Sequence, residues 1–258
     1  MRLREQLFYD NECYIAARPI FPQGVMLHST GANNPTLRRY VAPDDGHIGR
    51  NEHGNHWNQP RPEGRQVCVH AFIGLQADGT VATYQVLPWV FRGWHCAGKG
   101  NDTHISIELC EDGLTDAAYF AAVYREAVQV VAHLCRIGNF NPMGDGVVID
   151  HREGYLRKIA SNSGDVRHWF SRFGKCMDNF RLAVKREMEC MLTQAQFDAM
   201  MDNWLERQAM KSASEWAKEG HELATHLGIT DGSRPQAFAT RQEAAIMAMR
   251  SVTQLRGK

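Results

Sequence analysis

The sequence predicts an α/β domain, with a central mixed β-sheet flanked by helices, followed by a small helical segment. Three observations carry that prediction. Short apolar runs alternate with helical periodicity along residues 20–190, the pattern of strands packed under helices. Two β-rich runs flank Ala77-Asp78-Gly79-Thr80, a hairpin signal that requires one antiparallel pair, while longer connections elsewhere permit parallel neighbours. Two of the apolar runs, Val25-Met26-Leu27 and Val147-Val148-Ile149, each end close to a histidine, His28 and His151.

Residues 1–20 read as a lead-in, with a short helix or strand at Tyr14-Ile15-Ala16-Ala17. The strand before His28 follows. Residues 31–62 are rich in Asn, Gly, Pro, Asp and His and have no periodicity, so they form a long loop of the kind that usually serves function. The hairpin strands run from Val67 to Gly74 and from Val81 to Leu87, and Pro88-Trp89 ends the second. A Gly- and aromatic-rich loop carries Trp94-His95-Cys96-Ala97-Gly98. His104 to Cys110 alternates apolar and polar, a strand with Glu108 on its less apolar face. Thr115 or Asp116 caps the clearest helix, whose apolar positions Phe120, Val123, Ala127, Val130, Val131 and Leu134 run to Arg136 before Gly138-Asn139 stops it. The Val147 strand delivers Asp150 and His151 at its end, a polar loop leads to Asp165, and a second helix covers about Met177 to Met188.

After Cys190 the character changes. Residues 193–210 are amphipathic, residues 214–227 are helical, and Thr240 with Glu243 forms a capping box that opens a last helix to about Leu255. The predicted organisation is a domain over 1–190, a linker helix over 191–210 and a small helical segment over 211–258. A hairpin of helices that size buries only a marginal core and needs a partner surface.

Composition narrows the function classes. The 258 residues carry 29 Lys+Arg and 29 Asp+Glu, so the net charge is zero and the basic excess usual in nucleic-acid binders is missing. No apolar run approaches a membrane span. The first residues lack a signal-peptide h-region, so synthesis and folding in the cytoplasm, with release by another route, is the expectation. Seven widely spaced cysteines without a CxxC pair are expected to be reduced.

His28, His151 and Asp165 are the candidate metal ligands. Two imidazoles on rigid elements and a loop carboxylate leave a fourth position open, the arrangement of catalytic zinc. At this point the chain resembles a known family. The blocks VMLHST, VHAFIGLQADGTVATYQVLPW, WHCAGKGNDTHISIELCE and VVIDHREG, then ASNSGDVRHWF and GKCMDNFR, are similar, in that order, to the zinc-dependent N-acetylmuramoyl-L-alanine amidases of type 2. These share their fold with peptidoglycan recognition proteins and phage amidase lysozymes, and the match covers roughly residues 20–188. The last blocks look most like amidases of Gram-positive bacteria and their prophages.

The resemblance implies one Zn2+ per chain on His28, His151 and Asp165. It implies Glu108 as the catalytic glutamate and a substrate cleft lined by His95, with Trp94 as cleft wall or core. Two residues before the third ligand, relatives often carry Lys, His or Thr, and close relatives read ASNH. Here Ser163 stands at that place, an uncharged candidate donor to the oxyanion, and loss of such a donor can cost on the order of 100-fold in rate. Residues 214–250 resemble a single S-layer-homology repeat, which implies wall-polymer binding or, with one copy, homo-oligomer formation through the C-terminal segment. The expected function is peptidoglycan hydrolysis by zinc-activated water, with an endolysin's place at the cell wall. The rival readings are a peptidoglycan-binding module that keeps the zinc cleft without catalysis, and a metal-dependent nuclease suggested by DHREG and the His-rich loop.

Overall fold

The computed structural model describes residues 1–190 and 194–256. The chain divides into two compact units, Met1–Cys190 and Met191–Lys258. The first is built on a six-stranded mixed sheet in the order β1-β4-β3-β5-β2-β6. Its strands are β1 (Leu3–Glu5), β2 (Gly24–Ser29), β3 (Ala71–Leu75), β4 (Val81–Gln85), β5 (His104–Leu109) and β6 (Val148–Asp150). β3 and β4 are antiparallel, as the Asp-Gly turn requires, and every other neighbouring pair is parallel.

Side chains alternate across a strand, and here the alternation sorts two chemistries onto two faces. Val25 and Leu27 of β2 and Ile105, Ile107 and Leu109 of β5 lie on one face. They meet Phe120, Val123, Ala127, Val130, Val131 and Leu134 of α2 (Ala117–Ile137). Asp116 caps α2, accepting from the amides of Ala118 and Tyr119. Apart from Ala127, each of these buried side chains contributes about 1.5–3 kcal/mol. The helix α5 (Met177–Cys190) adds Phe180 and Val184 to the same core. The opposite face presents Met26 and His28 from β2, Phe72 from β3, and Ser106 and Glu108 from β5.

Several elements differ from the sequence-based expectation. The lead-in contains β1, whose edge place is secured from α2: the buried Glu126 accepts from the Arg2 amide and from the Thr83 hydroxyl. Asn11 caps a short helix, α1 (Glu12–Ala16). Residues 67–70 lie outside the β3–β4 ladder. Cys68 makes an isolated bridge to Trp94, and His70 is held by Ser106 and the Phe91 carbonyl. His151 does not extend β6 but opens α3 (His151–Leu156), because Asp150 caps that helix through the Glu153 amide. A further short helix, α4 (Arg167–Phe170), follows Asp165.

Residues 31–62 do form a long loop, with single 3-10 turns at Leu37–Arg39 and Pro62–Gly64. It is packed rather than loose. Tyr40 stacks on Phe72 at 5.1 Å, and Trp57 meets Phe72 edge-on at 5.1 Å.

The second unit holds α6 (Gln194–Ala209), α7 (Lys218–His226) and α8 (Arg241–Arg256). Thr193, at the start of the predicted amphipathic stretch, lies outside the described residues. The capping box is formed, with Glu243 N donating to Thr240 Oγ1 and Thr240 N to Glu243. Among the described residues of this unit none is buried, and Trp216, Met210 and Phe238 are 90%, 88% and 69% exposed.

Candidate metal centre

Three parallel strands place the centre. In the β2–β5 ladder His28 pairs with Glu108, so the two side chains stand together on one face. In the β2–β6 ladder Leu27 pairs with Asp150, so the next residue, His151, falls beside His28. The site thus sits at the carboxyl ends of strands, where open α/β sheets bind ligands. Asp165 lies on the loop between α3 and α4.

The three expected ligands converge. One donor atom from each of His28, His151 and Asp165 lies within 4.8 Å of the others, and no other such triad of His, Cys, Asp or Glu occurs among the described residues. His28 Nδ1 is 3.1 Å from His151 Nδ1, and Asp165 Oδ2 is 3.8 Å from the first and 3.4 Å from the second. Donors on a tetrahedral zinc at about 2.0–2.1 Å stand about 3.3 Å apart, so the spacing fits that ion. The far side of each ligand is held. His28 Nε2 meets His95 Nδ1 at 3.0 Å, His151 Nε2 meets the Ser161 hydroxyl at 3.2 Å, and Asp165 Oδ1 accepts from the Ser163 hydroxyl at 2.8 Å. Such outer partners fix tautomer and orientation.

The electrostatics suit a cation. Burial disfavours the charged form of His28 and outweighs the Asp165 carboxylate, so its pKa lies below the usual imidazole value. His95 is lowered further by burial and then by neighbouring His28 and His70. Burial works to raise Asp165, but hydrogen bonds from His151, His28 and Ser163 prevail and hold it well below the ordinary carboxylate range. The donor set is therefore two imidazoles, with burial favouring the neutral form of His28, and one carboxylate.

Glu108 behaves in the opposite way. Its Oε2 is shut off from solvent and has no hydrogen-bond partner among the described residues. Burial, then the charges of Asp165 and Glu111, push its pKa well above the usual range. Glu111 is itself paired with His168 Nε2 at 2.8 Å. An unpartnered carboxyl with a raised pKa beside a metal-binding triad is equipped to exchange protons.

The other expected residues fall as follows. His95 lies behind His28, where the sequence placed it on a cleft wall. Trp94 is 36% exposed, and the Arg92 guanidinium lies 4.8 Å from its ring centre. Ser163 faces Asp165, so its hydroxyl is engaged. Ser161, Asp150 and Arg167 were not singled out by sequence. Asp150 is fully buried and accepts Arg167 Nε at 2.6 Å, which ties β6 to the helix just after Asp165. The 96–100 loop closes on the ligand loop: Gly100 N donates to Ile159 O and Ser161 N to Cys96 O. That approach needs glycine, since a Cβ on Gly98 would stand 2.4 Å from Ile159 O.

A family model described as N-acetylmuramoyl-L-alanine amidase matches residues 17–166, more than half of the chain. No curated protein matches the sequence. Among solved structures the chain is similar to the hydrolase AmiA of Staphylococcus aureus, solved with its ligand, at a TM-score of 0.53 and 16% identity over 72% of this chain and 82% of that one. The PlyG catalytic domain follows at 0.49 and 19%, covering 75% of this chain and 100% of that one. PlyL follows at 0.47 and 20%, covering 71% and 96%. At 16% identity the likeness to the staphylococcal hydrolase is one of fold.

Proposed function

The chain belongs to the N-acetylmuramoyl-L-alanine amidase family, and from that premise we propose that it cuts peptidoglycan between the lactyl group of N-acetylmuramic acid and the L-alanine of the stem peptide, with zinc on His28, His151 and Asp165. The observation that carries the reading is the triad within 4.8 Å beside the unpartnered carboxyl of Glu108. Zinc held there would polarise the amide carbonyl and lower the pKa of a water.

The chain's own residues do the rest. Glu108, on the strand next to His28, takes a proton from the attacking water and delivers it to the departing alanine nitrogen. Its raised pKa makes it a better proton acceptor than an ordinary carboxylate and favours the acid form that protonates the leaving nitrogen. His95 and Ser161 hold the two imidazoles so that Nδ1 points inward, and Ser163 steadies Asp165. Peptidoglycan lies outside the cell membrane, so the enzyme acts on the wall after release, as an endolysin does. The second unit leaves its apolar side chains uncovered, which supports self-association through that segment.

One observation favours the non-catalytic rival: the Ser163 hydroxyl donates to Asp165 and is not free for an oxyanion. Purified protein on Gram-positive walls, with and without a chelator, separates the two readings. Chelator-sensitive release of alanine amino termini without new reducing ends supports the amidase. Sedimentation with walls and no release from zinc-loaded protein sinks it in favour of a binding module.

A further inference from the structure

Two of the free thiols face each other. Cys13 lies on α1, and Cys68 lies on the segment that leads into β3. One buried side chain draws their backbones together. Asn11 Oδ1 accepts from the Cys13 amide at 2.9 Å, and Asn11 Nδ2 donates to the Val67 and Trp57 carbonyls, each at 3.1 Å. Cys68 is anchored on its other side by the bridge to Trp94. Both thiols belong to one packed cluster with Phe8 and Trp57, and the Cys68 thiol donates to the Cys13 sulfur.

A buried cysteine is ordinarily a small apolar filler. Burial alone pushes such thiols up, as it does Cys96, to about 11, and Cys135, to about 12. Cys13 goes the other way. The hydrogen bond from Cys68 outweighs burial, the Arg92 guanidinium adds to it, and the Cys13 thiol lies below its usual value. Cys68 is raised by the same hydrogen bond and by burial. One sulfur thus leans towards the thiolate while its neighbour keeps the proton, which suits attack by an oxidant on the first and resolution by the second. Access is graded in the same order. Cys13 is 6% exposed on a five-residue helix whose Ile15 and Ala16 are open to solvent, whereas Cys68 is fully buried behind it. A small oxidant meets Cys13 first.

We propose that Cys13 and Cys68 are a disulfide-forming site, open in reducing surroundings and closed by peroxide once the chain meets an oxidising medium. Hydrogen peroxide converts the Cys13 thiol to a sulfenic acid and releases one water. The Cys68 sulfur then attacks that sulfur, the S–S bond forms, and a second water leaves. The two thiols lose two hydrogens and two electrons, and the peroxide takes them. The bond encloses residues 13–68, a stretch that holds His28 and the whole 31–62 loop. A cross-link over so long a span stabilises by restricting the unfolded chain.

The full chain carrying Cys176→Ser, which removes the exposed thiol, is reduced with dithiothreitol, desalted and treated with hydrogen peroxide. Intact mass, a non-reducing peptide map and Tm are read before and after. The expected result is loss of two hydrogens, a joined pair of peptides containing Cys13 and Cys68, and a rise in Tm of about 5–15 °C that dithiothreitol reverses. Added Cys13→Ser or Cys68→Ala abolishes the peroxide-dependent rise; if either variant does not fold, the peptide map and Tm of the parent decide alone. Peroxide-treated native protein in which Cys13 and Cys68 stay unlinked, or in which they are linked with no rise in Tm, overturns the proposal. No substrate enters the test, so its outcome is separate from that of the amidase reading.

Discussion

Replacing Asp150 should loosen both the fold and the centre, by amounts that separate its two roles. Asp150 is fully buried; one oxygen caps α3 through the Glu153 amide at 2.6 Å, and the other receives Arg167 Nε at 2.6 Å. Loss of an N-cap costs about 1 kcal/mol. Loss of the ion pair leaves Arg167 behind, but that side chain is 47% exposed and rehydrates, so its share is about 1–2 kcal/mol rather than the larger figure for a stranded buried charge. Asp150→Ala therefore costs about 2–3 kcal/mol, or roughly 5–10 °C in Tm for a unit of this size. Asp150→Asn keeps a cap oxygen and loses the charge, and so costs about 1–2 kcal/mol. Urea unfolding of the three proteins gives the stabilities, and a competing chelator dye gives zinc affinity, which should fall about 10–100-fold in the alanine variant because α4 begins two residues after Asp165. Ala and Asn variants of equal stability would refute the cap argument. Unchanged zinc affinity in Asp150→Ala would show that the tether does not position the ligand.

Three further outcomes are expected. Glu108→Gln should lower kcat by about 10²–10⁴ while retaining zinc and fold, which metal analysis beside a turnover assay checks. Ser161→Ala removes the partner of His151 Nε2 and should weaken zinc about 10–100-fold by competition titration, with little change in unfolding midpoint at saturating metal. His70 is pressed down from 6.5 to about 4 by burial, against the pull of the Phe91 carbonyl. A depressed imidazole stabilises fully above its unfolded pKa, and the contribution, about 3 kcal/mol, is lost as pH falls from about 6.5 towards 4. Urea midpoints at pH 7.5 and 4.5 should therefore shift much less in His70→Gln than in wild type.

Much of this was legible because it is written in local pattern. The Asp-Gly turn and flanking β-branched runs announced the hairpin, and the spacing of apolar residues after Asp116 announced α2. His28 and Glu108 were readable as strand residues. What escaped was set by distant contacts. β1 is three residues long and owes its place to Glu126, 121 or more positions away, so no periodicity reveals it. Asp150 reads as a strand residue and acts as a cap, which turned His151 into the first residue of a helix. Ser161 and His95 matter through what they touch, and nothing in their neighbours along the chain says so.

The ladder that pairs His28 with Glu108 has a bearing on how such an enzyme can diversify. The distance between those two groups is set by backbone pairing in the middle of a sheet, and deleting one residue within β2 would exchange its two faces and scatter the centre. The 31–62 loop lies outside that ladder, entering after β2 and rejoining before β3, and its buried Leu37, Tyr40, Val41, Ile48 and Trp57 are the positions that tie it to the core. Heritable change can therefore alter the exposed positions of that one contiguous stretch, by substitutions, insertions or recombination, without disturbing the ladder that sets the centre. For an engineer the same division marks where to graft and where to leave the chain alone.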